Sequence, residues 1–246
     1  MSDYEEIEIY PCKSPDHAII VSDKTRNDEI VEMLLENFIC DETMLKSLKE
    51  SEGKLSPSEE ADYQADSRLM MMSVVDVATV ILAIHKETNR ISGAIFLMIR
   101  EIADDENEKG IYNPYSQGLL RSKITKDFYN YADKIVSSMN VNLNKIYPNC
   151  GKLYAEVEIV AVNRLDRNNG LALDLYKAAV ELLKTMQDVS IISGVYTSVY
   201  SKKVAEKIGK KVIARFDIKT LKDENGRPVF QDTEPHNIMT MMAMRI

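Results

Sequence analysis

The chain has little cysteine, and what it has is scattered. Its three cysteines, Cys12, Cys40 and Cys150, are odd in number and far apart, and no CxxC pair exists. Neither a zinc site nor a disulfide framework is indicated. No run of lysine and arginine forms a basic stripe, and the formal charge is −8 over 246 residues. That balance argues against a generic nucleic-acid binder. Long apolar runs are missing too: the longest, Val74 to Ile84, contains Asp76 and is too short to span a bilayer. The N-terminus, MSDYEEIEIY, lacks the basic region and apolar core of a secretory signal. Internal repeats, low-complexity linkers and an evident domain boundary are absent. The expectation is one domain over residues 1–246, soluble, in the reducing cytoplasm, with no membrane or nucleic-acid partner.

What is present is apolar material for a sizeable core, 45 % of the residues. The acidic balance is compatible with drawing in small cations such as protonated amines. Along the chain, Ile30, Met33 and Leu34 recur at helical spacing within the segment Asn27 to Phe38. A polar stretch around Ser51 to Glu60 reads as a loop, and Ser58, as N-cap, opens a helix to Met71. Val77 to His85 and Ile91 to Ile102, joined by the polar turn KETNR, read as an antiparallel hairpin. Ala103 to Pro114 is acidic and loop-like. Leu120 to Met139 has helical periodicity.

Tyr154 to Val162 alternates as a strand, with Ala155, Val157, Ile159 and Ala161 on one face and Glu156 and Glu158 on the other. A helix follows from about Gly170 to Met186. Ser190 to Thr197 is strand-like, and Ser201 to Ile208 is a short helix ended by Gly209. Val212 to Leu221 and Ile238 to Ile246 read as two closing strands. This order indicates an α/β (α+β) chain with a mixed sheet and helices on its faces.

The most informative stretch is EVEIVAVNRLDRNNGLALDLY, Glu156 to Tyr176. A strand enters a short loop holding Arg167, Asn168, Asn169 and Gly170, then passes directly into an amphipathic helix beginning Leu171-Ala172. A glycine lets the backbone approach a ligand closely, and a helix N-terminus offers unpaired N–H groups with a favourable dipole. Together they suit a pyrophosphate. Neither a Walker loop nor a GxGxxG turn is present.

The spacing Arg167-x-x-Gly170-x-Ala172 resembles the acetyl-CoA signature of the GNAT N-acetyltransferases, Arg/Gln-x-x-Gly-x-Gly/Ala. TSVYSKKVAEKIG, Thr197 to Gly209, resembles that family's next strand end and helix. Two further matches are similar to the insect arylalkylamine N-acetyltransferases: FICDETMLKSL, Phe38 to Leu48, and the ending EPHNIMTMMAMRI. Thr43 stands where that family commonly has proline. The resemblance implies a central, mixed, mostly antiparallel sheet with helices on both faces, and acetyl-CoA as cosubstrate. It implies acetyl transfer to a small primary amine of the dopamine, serotonin or tyramine type, by direct attack in a ternary complex. A polyamine acceptor, and a non-catalytic acyl-CoA-binding module, are the alternatives.

The roles implied by the resemblance are specific. The backbone from Arg167 to Ala172, through Asn168, Asn169, Gly170 and Leu171, would hold the pyrophosphate, and Arg167 would add charge. The backbone of Ala161 and Val162 would pair with the pantetheine arm like an added strand. Glu42 would be the general base, with Glu156 and Glu158 as competing carboxylates. Ser201, then Thr197, would stabilise the leaving thiolate and relay the proton. Tyr200 could instead donate, as the resemblance to other branches of the family implies, but reads first as a packed aromatic, and His17, His85 and His236 read as structural residues. The thirteen methionines read as adaptable packing.

Overall fold

In the computed structural model, residues 8–102 and 119–246 are described. The acidic stretch from Ala103 to Pro114, expected to be a loop, lies outside the described residues. Seven strands form one sheet: β1 (His17–Val21), β2 (Thr79–His85), β3 (Ile91–Glu101), β4 (Leu153–Val162), β5 (Val189–Tyr196), β6 (Lys211–Asp217) and β7 (Ile238–Arg245). Their order is β1-β2-β3-β4-β5-β7-β6. Every neighbouring pair is antiparallel except the central β4–β5 pair, which is parallel.

The helices are α1 (Asn27–Leu34), α2 (Thr43–Glu52), α3 (Pro57–Val77), α4 (Lys123–Met139), α5 (Leu143–Ile146), α6 (Leu171–Lys184) and α7 (Val199–Lys207). Alternation along the strands feeds two cores. Ile20, Val80, Leu82, Ala94 and Phe96 face α1 to α4, whereas Ile19, Ile81, Ile95 and Leu97 face α6 and α7. No helix among the described residues is long and apolar enough to cross a membrane.

Helix starts follow local chemistry. Helix α3 begins at Pro57 and not at Ser58, because Ser56 and Glu59 form a reciprocal capping box around a proline at the first helical position. It then runs on to Val77, so the hairpin's first strand opens at Thr79. Three elements went unread in the sequence: β1, a run of only five residues, the four-residue α5, and α2. The first of the two closing strands, expected over Val212 to Leu221, ends early at Asp217, since Ile218 to Thr220 turns into a 3-10 helix capped by Asp217.

One buried carboxylate joins α3 to α4. Asp66 accepts from the backbone N–H groups of Arg121 (2.9 Å) and Ser122 (2.8 Å) and from the Thr125 hydroxyl (2.6 Å). It satisfies donors that the start of α4 would otherwise leave orphaned. Asp66→Ala should therefore destabilise the protein by about 3 kcal/mol, read as a lower urea midpoint at unchanged slope.

Candidate active site

The parallel pairing of β4 with β5 stops at Val157 opposite Gly194. Strand β4 continues to Val162, where it still pairs with Gly93 of β3. Beyond Val157 the β5-facing edge of β4, including Ala161 and Val162, therefore has no strand beside it among the described residues. The parting coincides with a bulge: Leu97 faces Val157 and Phe96 faces Ile159, leaving Glu158 unmatched. Such an insertion bends a strand and re-aims its side chains. The expected single apolar face of β4 is accordingly split. Ala155 and Val157 pack towards α6, while Ile159 and Ala161 pack on the opposite core. On β5, a Cβ at Gly194 would lie 3.1 Å from both the Val157 carbonyl and the Tyr196 hydroxyl. The position accepts glycine because the Tyr196 ring folds back over it.

Beside this opening lies the loop from Asn163 to Gly170. Asn168 and Gly170 both take left-handed backbone, with φ of 69° and 84°. Gly170 is the N-cap of α6 and supplies no side-chain cap. The first N–H groups of α6, those of Leu171 and Ala172, have no intrahelical acceptor. A Cβ at Gly170 would meet nothing within 4 Å, so the space in front of these donors is open. Asn168 and Asn169 are exposed beside it, whereas the Leu171 side chain is buried and anchors the turn. The arrangement fits an anionic diphosphate of acetyl-CoA type.

The loop is fastened on two sides. Arg164 and Arg167 both reach Asp41, at 3.0 and 2.9 Å. Arg167 also donates to the carbonyls of Val162 (3.1 Å) and Asn37 (2.9 Å). Two guanidiniums thus share the one Asp41 carboxylate, which leaves a positive charge beside the backbone donors of the cradle. Asn37 lies in a π-helical turn, Leu35–Ile39, and its Oδ1 accepts from the Arg164 N–H at 2.9 Å. On the other side, Asp166 meets Arg90 at 2.7 Å and His17 Nε2 at 3.5 Å, and His17 Nδ1 lies 2.8 Å from the Ser14 hydroxyl. His17 is a structural residue, as expected, and what it supports is this loop.

Glu42, next in the chain to Asp41, is the N-cap of α2. Its Oε2 accepts from Leu45 N–H at 2.7 Å. The side chain is a helix-end carboxylate, yet only 6 % of the residue is exposed, and Oε1 is buried without a hydrogen-bond partner among the described residues. Burial pushes its pKa above the usual carboxylate range, against the pull of the Leu45 N–H and the nearby Thr197 side chain. Thr43, in the place of a proline, donates its hydroxyl to the Thr197 carbonyl at 3.3 Å. The fold thus brings Glu42 and Thr197 together across the end of β5. Ser201 sits in the first turn of α7, half-buried, and donates to the Ser198 carbonyl at 3.1 Å.

Tyr200 is 67 % exposed and not packed, because it lies on the outer side of that first turn, edge-to-face with His236 at 5.4 Å. His236 Nδ1 accepts from the Val199 N–H at 3.2 Å and so caps α7. Sequence reading missed this: no spacing links residues so far apart.

Glu156 and Glu158 share Arg100 of β3. Glu156 lies 2.6 Å from its Nε, and Glu158 bonds its Nη2. Their side chains remain 20 % and 15 % exposed although desolvation dominates both carboxyls. Burial, with the charge of Glu156, pushes Glu158 up to about 7 against the pull of Arg100.

No family model and no curated protein matches this chain. Solved structures do. A mosquito arylalkylamine N-acetyltransferase-like protein 5b is 20 % identical, with a TM-score of 0.73 over 94 % of this chain and 100 % of that one. Arylalkylamine N-acetyltransferase 2 from Aedes aegypti is 19 % identical, with a TM-score of 0.74 over 94 % and 99 %. A Drosophila melanogaster polyamine N-acetyltransferase is 16 % identical, with a TM-score of 0.69 over 94 % and 100 %. The fold is that of the GNAT N-acetyltransferases. At these identities the likeness establishes the fold, including the mixed, mostly antiparallel sheet with helices on both faces.

The Glu158 carboxyl offers a direct test. Its folded pKa lies above the unfolded value, so its contribution to stability is present below about pH 4.5 and is lost as pH rises through about 7. Glu158→Gln should gain melting temperature relative to the wild type between pH 5 and pH 8.

Proposed function

We propose that the protein is an acetyl-CoA-dependent N-acetyltransferase of small primary amines, with arylalkylamines as the acceptor class. The observation that carries this reading is the unpaired edge of β4 beyond Val157, which leads to the α6 cradle, with the buried Glu42 tied to the same region through Asp41 and Thr43. Backbone N–H groups of Leu171 and Ala172, with the loop from Arg167 to Gly170, hold the diphosphate. The free edge at Ala161 and Val162 pairs with the extended pantetheine arm. When bound, acetyl-CoA supplies an activated thioester at the parting of the strands.

The remaining work falls to side chains. A protonated alkylamine, with a pKa near that of lysine at about 10, must lose a proton before it attacks. Glu42, desolvated and with one oxygen unpartnered, accepts that proton directly or through water. Attack forms the C–N bond and breaks the C–S bond, and the departing thiolate takes up a proton. Ser201 is the first donor for that proton and Thr197 the second. The resemblance of Phe38 to Leu48 and of the C-terminal segment to insect arylalkylamine enzymes supports the acceptor class. Of the three similar structures described above, one is an enzyme of that name and one a protein named as like it.

A second reading, a diamine or guanidino-amine acceptor, is favoured by Glu156 and Glu158. Two carboxylates against the single Arg100 guanidinium leave surplus negative charge beside the opening. That charge suits a second cationic group.

Purified protein incubated with acetyl-CoA and a panel of arylalkylamines, polyamines and peptides should release free thiol with arylalkylamines. Turnover confined to polyamines would move the assignment to the second reading, and acetyl-CoA binding without turnover would indicate a binding module. Glu42→Gln should lower kcat by about 10²–10⁴-fold and remove the acidic limb of the pH–rate profile, since only the deprotonated carboxyl acts as base. Gly170→Val, which puts a branched side chain at positive φ and into the cradle, should weaken acetyl-CoA binding by about tenfold or more, measured by calorimetry.

A further inference from the structure

Lys210 follows α7 and points inward. It is 2 % exposed, and among the described residues it is the only lysine in the buried class. Its Nζ donates to the Ser193 carbonyl at 2.7 Å and to the Tyr196 hydroxyl at 2.9 Å, and no carboxylate of the described residues lies within ion-pair distance of it. Burying an amine without a counter-charge costs several kcal/mol, and a methionine of similar length would fill the volume without that cost. What the amine adds is a pair of directed donors, and both are spent on β5.

Their location gives them meaning. Ser193 faces Glu156 on the rung immediately before the last one, Val157–Gly194. Tyr196 is the ring folded back over Gly194. Tyr176, on α6, donates its hydroxyl to that of Tyr196 at 3.1 Å. The Lys210 N–H itself closes the end of α7 on the Ala205 carbonyl at 3.1 Å. The amine therefore ties β5, and through the Tyr196–Tyr176 pair α6, to the residue whose backbone N–H closes α7, at the point where β4 and β5 part.

We propose that Lys210 is a positioning residue for acetyl-CoA, holding the β5 lip of the opening at the separation the pantetheine arm requires. This rests on the reading of the site as an acetyl-CoA site. Lys210 touches no reacting atom and acts through Ser193 and Tyr196. The groups facing it are Tyr176 from α6, Tyr196 from β5 and Glu156 from β4, with Arg100 behind Glu156. Burial holds its pKa well below the usual lysine range, against the attraction of Glu156. In the window below the ordinary lysine value the unfolded chain binds a proton that the folded protein does not. The amine's penalty therefore shrinks as pH rises.

A residue kept for position and not for stability gives opposite signs on removal. Lys210→Met should leave the melting temperature of the ligand-free protein equal or raised at pH 7, with the gap from wild type narrowing towards pH 9.5. The same variant should bind acetyl-CoA about tenfold more weakly, the scale of one lost hydrogen bond. Lys210→Gln, which keeps a donor of nearly the same reach, should recover part of that affinity. Calorimetry with acetyl-CoA and thermal melts of wild type and both variants decide it. Unchanged affinity in Lys210→Met overturns the proposal. So does a joint fall of stability and affinity in both variants, loss of the fold included, because the lysine would then be structural. Failure of the wild type to bind acetyl-CoA overturns the site reading and this proposal together, and is visible before any variant is made.

Discussion

Two parallel strands that begin as neighbours and then separate must leave backbone groups without partners, and the site depends on where this happens. Here the separation falls after Val157 and Gly194, and three features mark it. A bulge at Glu158 bends β4. Gly194 makes room for a tyrosine ring on β5. A buried lysine takes the Ser193 carbonyl. Unpaired backbone is costly when buried away from water, so an edge kept open at the centre of a seven-stranded sheet is a place where another extended chain can pair.

The anion cradle is set against that opening by two tethers of different character. The Arg164 and Arg167 contacts with Asp41 are between half-exposed partners, and such pairs contribute little stability individually. Their effect is positional, because Asp41 and Glu42 are consecutive residues. The segment that grips the loop from Asn163 to Gly170 is also the one that presents the buried carboxyl. Asp166, by contrast, is buried against Arg90 and His17, which joins the loop to β1 and the start of β3. The π-helical turn that carries Asn37 into this junction is a local irregularity of the kind often found at functional sites.

The buried carboxyls differ in their partners. Glu42, Glu156 and Glu158 are all desolvated and shifted above the usual carboxylate range. Only Glu156 and Glu158 have a guanidinium between them. Glu42 has an unpartnered oxygen and a threonine nearby, which separates its chemistry from that of the other pair.

Much of the frame was legible along the chain. Alternation identified β4, helical spacing identified α1, α4 and α6, and Gly170 marked the turn between strand and helix. Less legible were short or irregular elements, such as β1 and the π turn, where too few residues carry a period. The bulge at Glu158 was invisible as well, since strict alternation continues through it in sequence while the pleat does not. The sequence by itself determined which residue types meet at each local turn: a glycine before a helix, a carboxyl at a helix start, a hydroxyl at a strand end. Only the tertiary structure decided that Glu42 is buried, that Arg167 shares Asp41 with Arg164, and that Lys210 reaches the parting strands. Burial and charge pairing are properties of groups brought together from distant parts of the chain, and periodicity reports only the face on which each one begins.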